Sequence, residues 1–104
     1  MPKRTRKYEE SLAEALRDPA EAAAYLNAHL EEEGDDAEAL FLLALRDVAR
    51  SRGVAGVAAA AELGRESLYK ALSPGGNPKL ATLRALLDAI GLRLAVDVKV
   101  RRAS

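Results

Sequence analysis

Apolar residues recur at helical spacing along most of this chain, and short polar or turn-forming stretches separate them. In the first half, the pattern predicts three helices, over 11–17, 19–33 and 36–51. The second helix has the clearest start, because Asp18 can cap it and Pro19 suits its first position. The acidic, glycine-containing stretch EGDD is expected to separate the second helix from the third.

The third predicted helix, over 36–51, is more apolar than a surface helix. Its apolar stripe is so wide that we expect this helix to form the centre of the core. Gly53 is expected to end it. The residues expected to build this part of the core are Leu40, Phe41, Leu43, Ala44, Leu45 and Val48.

The stretch VAGVAAAAELGRESLYKAL, over 54–72, fits two short helices that cross at a tight turn. Ala58 is small enough for the crossing, and Leu68 is an apolar anchor for the second helix. Glu62 is expected to adopt a costly backbone if its φ is positive, and Gly64 can cap the second helix. Four further residues fall on the inner side of the pair: Val57, Ala61, Leu63 and Ala71.

Two helices in this arrangement form a helix-turn-helix, whose second helix can present polar side chains to base edges in the DNA major groove. The alternative interpretation is a helical hairpin that is buried in a bundle and binds no nucleic acid. The candidate base-facing residues, on the outer side of the second helix, are Arg65, Glu66, Ser67, Tyr69 and Lys70.

A turn-rich loop, SPGGNPK over 73–79, follows this pair. Asn77 as a cap and Pro78 as the first residue predict another helix that runs to about Ile90 and ends at Gly91. Its predicted apolar stripe is Leu80, Leu83, Leu87 and Ile90. Loop amides, the helix N-terminus and a lysine can together hold a DNA phosphate, although a connector without a ligand is the alternative. The candidate phosphate contacts are Gly75, Gly76, Asn77 and Lys79.

The segment LRLAVDVKV, over 92–100, alternates apolar and other residues, and this alternation predicts a β-strand. No second convincing strand occurs in the sequence, so we expect the segment to pair antiparallel with its own copy across a two-fold axis. A frayed tail and a strand completed only by a partner protein are the alternatives. The residues expected at the dimer interface are Leu92, Leu94, Val96 and Val98.

Charge is distributed unevenly, although the chain has 16 basic and 16 acidic residues. Positions 9–38 hold eleven acidic residues and one basic residue, whereas positions 39–104 hold eleven basic and five acidic residues. Opposite charges in two parts of a small protein suit two partners, a polyanion and a basic protein, although solvated helix faces are the alternative. The sequence also lacks cysteine, a membrane-length apolar run and a signal-peptide pattern, which favours a cytoplasmic location.

The run ELGRESLYKALSPGGNPKLATLRALLDAIGLRL, over 62–94, resembles the DNA-binding half of the addiction-module antidote proteins. These proteins are a HigA-like group within the Xre, lambda-repressor-like helix-turn-helix class. Residues 16–53 are similar to the N-terminal part of the family. The most specific piece is RESLYKALS followed by GNP. The resemblance implies a mainly α, lambda-repressor-like helical bundle and a homodimer that binds a double-stranded DNA operator.

The resemblance also implies the function of an antitoxin, which neutralises a RelE/ParE-like toxin and represses its own operon. Since such a toxin is basic, we expect the acidic segment to bind it, through Glu31, Glu32 and Glu33. Two other functions are compatible with the sequence. One is a stand-alone Xre-type transcriptional regulator, and the other is a protein-interaction module that does not bind DNA.

Catalytic chemistry has little support in the sequence. His29 is the only histidine, and its helical neighbours Tyr25 and Leu26 indicate a surface or packing role. The consecutive glutamates at 31–33 spread around a helix instead of converging on a metal ion. We therefore expect no enzymatic activity, no metal site and no cofactor.

The expected organisation has four parts. They are a flexible basic arm over 1–10, an acidic helical segment over 11–35, an Xre-type helix-turn-helix domain over 36–91, and a C-terminal strand and tail over 92–104.

Overall fold

A computed structural model describes residues 5–100 of the chain, and this part folds into six helices. The helices are α1 (Arg6–Ala15), α2 (Pro19–Leu30), α3 (Ala37–Arg52), α4 (Val54–Ala60), α5 (Arg65–Ala71) and α6 (Leu80–Ala89). The prediction of a mainly helical protein is confirmed. Residues 1–4 of the predicted arm and 101–104 of the predicted tail lie outside the described residues.

The first helix begins earlier than predicted. Thr5 caps α1, since its side-chain oxygen accepts a hydrogen bond from the backbone N–H of Tyr8 at 3.1 Å. Positions 6–10 of the predicted flexible arm are therefore helical. In α2 the predicted cap is confirmed, because an Asp18 carboxylate oxygen accepts from the backbone N–H of Ala20 at 3.1 Å.

Helix α3 lies at the centre of the fold and packs against α1, α2 and α4. Ala44, Leu45 and Val48 are buried as predicted, but Leu42 is buried while Leu40 and Leu43 are only half-buried. A stripe this wide does not decide which residues lie deepest, because that depends on the helices packed around it. One hydrophobic core extends from Leu16 to Ile90, so the predicted segments 11–35 and 36–91 share it.

A long-range contact joins three helix ends. The Arg52 guanidinium, at the end of α3, donates through Nε to the carbonyl of Leu16 at 3.3 Å and through Nη1 to the carbonyl of Ile90 at 3.2 Å. These carbonyls belong to the C-cap residues of α1 and α6. A positive charge and a hydrogen-bond donor are favourable there, because the last carbonyls of a helix lack partners within it. This contact fixes the end of α1 relative to the end of α6.

The turn between α4 and α5 follows the sequence prediction closely. Glu62 has a positive φ of 58°, Gly64 is the N-cap of α5, and the backbone N–H of Leu63 donates to the carbonyl of Ala58 at 2.8 Å. The small residue at the crossing, Ala58, is buried, and the anchor Leu68 has no exposed surface. The predicted end of α3 is also confirmed, since Gly53 follows Arg52 with a φ of 93°.

The start of α6 differs from the prediction. The helix begins at Leu80 with Lys79 as its N-cap, so the predicted roles of Asn77 as cap and Pro78 as first residue are wrong. The loop before α6 is held against the end of α5, and the backbone is still extended at Lys79, which has a ψ of 156°. Within α6, Leu80 is 66% exposed, whereas Leu86, which was not predicted to be in the core, is buried.

The predicted C-terminal strand does not form within the single chain. Residues 92–100 have no regular secondary structure, and the described part of the chain contains no β-strand. The physical reason is that no second strand lies beside this segment to accept and donate its backbone hydrogen bonds. Gly91 does end α6 as predicted, with a φ of 81°, and the backbone N–H of Leu92 donates to the carbonyl of Leu87 at 2.8 Å.

Candidate nucleic-acid interface and acidic groove

Helix α5 presents a polar surface above a fully buried anchor. Arg65, Glu66, Ser67 and Lys70 are exposed, and Leu68 on the opposite side of the helix has no exposed surface. Four of the five predicted base-facing side chains are thus free to meet a partner. The orientation of this surface is set by Leu68 and by Leu72, which is equally buried just after the helix.

Tyr69, the fifth predicted base-facing residue, is half-buried and contacts a side chain of α3. The guanidinium carbon of Arg46 lies over the Tyr69 ring, 5.0 Å from its centroid, which is the geometry of a cation–π contact. Arg46 belongs to α3, and its Nε is buried without a hydrogen-bond partner. Sequence reasoning missed this residue, because nothing local in α3 indicates contact with a helix so far along the chain.

The loop after α5 is packed tightly against that helix. The Ser73 hydroxyl donates to the carbonyl of Lys70 at 2.9 Å, and the backbone N–H of Gly76 donates to the carbonyl of Ser73 at 2.8 Å. A side chain at Gly76 would overlap the backbone of Ala71, since a Cβ there would lie 2.8 Å from the Ala71 carbonyl carbon. Gly76 therefore allows the loop backbone to approach the end of α5 closely.

This packing separates the four predicted phosphate contacts into two groups. The Gly76 N–H is already engaged by the Ser73 carbonyl, whereas Gly75, Asn77 and Lys79 are exposed. Lys79 lies at the start of α6, where its ammonium group and the free N–H groups of the first turn can attract the same anion.

The acidic segment is closer to this loop than its sequence position suggests. A groove of about 620 Å³ is lined on one side by Leu30, Asp35, Glu38 and Phe41, and on the other by residues 74–78. Its walls therefore combine apolar side chains, two carboxylates and the glycine-rich loop. The predicted toxin contacts Glu31, Glu32 and Glu33 are exposed in the connection after α2, and Asp35 and Glu38 extend the same acidic surface into the groove.

His29 has the packing environment that the sequence predicts. Its ring meets the Tyr25 ring edge-on with centroids 4.8 Å apart, and its Nδ1 lies 2.9 Å from the Tyr25 carbonyl oxygen. The Tyr25 hydroxyl in turn donates to an Asp47 carboxylate oxygen at 2.8 Å. Within residues 5–100, no group of three or more potential metal ligands lies together, and no helix is long and apolar enough to cross a membrane.

Comparison with known proteins identifies relatives along nearly the whole chain. The family described as "Probable addiction module antidote protein" matches residues 6–98. A Haemophilus influenzae protein, named only as an uncharacterized protein, is 41% identical over 86 residues, which are 83% of this chain and 86% of the relative. No solved structure matches. The antidote family predicted from the sequence is confirmed, and its HigA-like and Xre-type subdivisions stay predictions.

Proposed function

This chain belongs to the family of probable addiction module antidote proteins, and we propose that it is a cytoplasmic antitoxin that binds a toxin and represses its own operon. The observation that carries the proposal is the family match over 6–98, which includes every described helix. In this proposal the protein has two binding surfaces, one for duplex DNA and one for a RelE/ParE-like toxin, and it acts as a homodimer.

We assign the DNA surface to α4 and α5, as a helix-turn-helix of the Xre type. The support is local geometry: Ala58 and Leu68 are buried between the helices, and the opposite side of α5 is polar and exposed. Arg65, at the first position of α5, is our candidate for a bidentate contact with a guanine. Tyr69 has a second role in this assignment, since its contact with Arg46 links the reading helix to the central helix α3.

We assign phosphate contacts to Gly75, Asn77 and Lys79. All three are exposed next to α5, and the Gly76 contact with Ala71 holds their loop in place. A phosphate contact of this kind would position α5 in the groove without reading sequence. Gly76 itself then supports the loop, because its N–H is engaged within the chain.

Substitution of Arg65 and of Lys79 tests the DNA surface, with each variant serving as the control for the other. Arg65→Ala is expected to cost about 1–3 kcal/mol at one base position and to relax selectivity there. Lys79→Ala is expected to weaken binding to all duplexes and to lower the log–log salt slope by about one unit. Binding is measured by fluorescence anisotropy on the upstream DNA and on a scrambled duplex. Unchanged selectivity in Arg65→Ala contradicts the assignment of α5.

We assign the toxin surface to the acidic connection and the groove beside it. Glu31, Glu32 and Glu33 are exposed, and the groove next to them is lined by the apolar Leu30 and Phe41 as well as by the acidic Asp35 and Glu38. Apolar side chains between acidic ones suit a basic partner with an apolar contact residue, since charge speeds association and apolar burial holds the complex.

Reversal of Glu31, Glu32 and Glu33 to Lys tests this surface, with a RelE/ParE-like toxin from the same genome as the probe. We expect slower association at low salt, because long-range attraction is lost, with unchanged operator binding. The matched control reverses Glu9, Glu10 and Glu14 on α1, which are also exposed. Equal effects of both reversals would indicate that only net charge matters. Unaltered toxin neutralisation would show that the three glutamates form a solvated surface only.

A further inference from the structure

The last described residues carry an unusual concentration of exposed apolar surface. Seven large apolar side chains are exposed among residues 5–100, and four of them are Leu94, Val96, Val98 and Val100. Val96 is 101% exposed and Val98 is 87% exposed, so neither rests on the core. No backbone hydrogen bond joins residues 93–100 to any other described residue. The segment therefore has both apolar surface and backbone groups available for a partner.

An apolar groove adjoins this segment. It has a volume of about 690 Å³, and Leu26, Leu30, Phe41 and Leu87 contribute to its floor and walls. Residues 91–95 and Asp97 also line it, so the C-terminal segment runs along the groove. A pair of strands is marginal in water unless one side packs on an apolar surface, and this groove provides such a surface.

The order of side chains in the segment is self-complementary about Ala95. Arg93 precedes Ala95 by two positions and Asp97 follows it by two, while Leu94 and Val96 lie next to it on either side. In an antiparallel pair with its two-fold axis at residue 95, Arg93 of each strand lies opposite Asp97 of the other, and Leu94 lies opposite Val96. Opposite charges and apolar pairs at directly opposed positions both stabilise a sheet.

We propose that residues 93–97 pair antiparallel with the same residues of a second copy, with the two-fold axis at Ala95. The proposal deepens the homodimer in the proposed function and rests on it. The paired strands place their apolar side chains on one face, because directly opposed residues point the same way. In the single chain Arg93, Ala95 and Asp97 border the groove and Val96 does not, so pairing requires the segment to turn about its long axis. The apolar face then covers the grooves of the two copies, and the Arg93–Asp97 pairs lie on the solvent side.

An axis at Leu94 places Arg93 opposite Ala95 and forms no ion pair. Registers shifted toward the C-terminus are disfavoured by charge or by side-chain direction. An axis at Val96 places Arg93 opposite Lys99, and an axis at Asp97 places that carboxylate opposite itself. An axis at Val98 pairs Asp97 with Lys99 but places Leu94 opposite Arg102 on the apolar face. An axis that lies between two residues places apolar side chains of one strand opposite polar side chains of the other. The apolar side chains of the two strands then lie on opposite faces of the pair. Among these registers, only the axis at Ala95 satisfies both requirements.

Single cysteines test the register directly, because the chain contains no cysteine of its own. In the proposed pair, residue 95 faces itself, with Cβ atoms roughly 4.5–5.5 Å apart, so Ala95→Cys is expected to form a disulfide-linked dimer under mild oxidation. Val98→Cys is the matched control, since the two copies of residue 98 are then roughly 20 Å apart. Stronger cross-linking at position 98 than at 95 overturns the register. Cross-linking at neither position overturns the pairing.

Charge exchange gives a second, non-covalent test by sedimentation velocity. Arg93→Asp or Asp97→Arg alone turns two attractive pairs into two repulsive ones, and each is expected to weaken the dimer by roughly tenfold. The double variant restores the opposite pairs and is expected to restore the dimer. The control exchange, Asp97→Lys with Lys99→Asp, leaves Lys opposite Arg93 and is expected not to restore it. Rescue by the control and not by the first exchange would move the axis to Val98.

Self-association and function are measured separately, so their failures can be distinguished. A wild-type chain that stays monomeric at every concentration overturns the pairing and leaves another protein as the occupant of the segment. A dimer that cross-links at position 95 but binds neither the upstream DNA nor a RelE/ParE-like toxin from the same genome supports the pairing and refutes the proposed function.

Discussion

The surface of α5 and the C-terminal segment are both exposed, but they are exposed in opposite ways. On α5 the exposed residues are polar and the apolar anchor Leu68 is fully buried, whereas in the C-terminal segment the apolar Val96 is fully exposed. Exposure of polar side chains to water costs little free energy, so α5 is stable in the single chain. Apolar exposure is unfavourable by roughly 25 cal/mol per Å², so the C-terminal segment gains stability when a partner covers it.

The largest difference in stability is expected between truncation of the buried Leu68 and truncation of the exposed Val96. Leu68→Ala should lower the free energy of unfolding by about 2–5 kcal/mol, because it leaves a cavity between α4 and α5. Val96→Ala should change it by less than about 0.5 kcal/mol in dilute solution. Urea unfolding at several protein concentrations separates the two. The Leu68→Ala loss is independent of concentration, whereas any Val96→Ala loss grows with it. Concentration-independent destabilisation by Val96→Ala would contradict the view that this side chain lacks contacts in the single chain.

A smaller effect is expected in the loop that follows α5. Gly76→Ala should destabilise the protein by about 1–3 kcal/mol, because the added Cβ overlaps the Ala71 backbone and displaces the loop. Gly75→Ala is the matched control, since nothing lies within 4 Å of a Cβ at that position. Thermal unfolding of both variants measures the difference. Equal stability of the two variants would show that the loop is not held against α5.

The smallest effect is expected at the turn that orients α5. Glu62→Gly should stabilise the protein by about 0.5–1 kcal/mol, because glycine adopts the φ of 58° without the strain of a side chain. Glu62→Ala retains a Cβ and should give no such gain, so it separates backbone strain from loss of the carboxylate. Chemical denaturation measures both variants. A gain in Glu62→Ala equal to that in Glu62→Gly would assign the effect to charge instead.

The parts of the candidate site that the sequence predicted are those set by local rules. Ala58 and Leu68 were identified by size and spacing, and Glu62 and Gly64 by the backbone that a tight turn requires. The burial of Ala58 and Leu68 and the cap at Gly64 are confirmed, and Glu62 has the positive φ at which its backbone is costly. Each feature depends mainly on residues a few positions away. The binding roles of Arg65 and its neighbours stay predictions, since the exposure of a side chain does not identify its ligand.

Other features depend on contacts between distant residues and could not be predicted. Tyr69 is partly covered because Arg46 reaches it from α3, 23 positions earlier in the chain. The acidic groove arises because the end of α2 and the start of α3 lie beside the loop before α6. No local pattern contains this information.

The sequence by itself determined most of the helices, the caps at Asp18 and Gly64, the cost of a positive φ at Glu62 and the alternation over 92–100, because these follow from side-chain size, hydrogen bonding and periodicity over a few residues. Only the tertiary structure decided which side of α3 is buried, how Arg52 joins the ends of α1 and α6, and that the C-terminal alternation has no strand beside it in the single chain. The physical reason is the range of the interactions: caps and turns are satisfied by neighbours in sequence, whereas packing and strand pairing need partners that only the fold, or a second molecule, brings close.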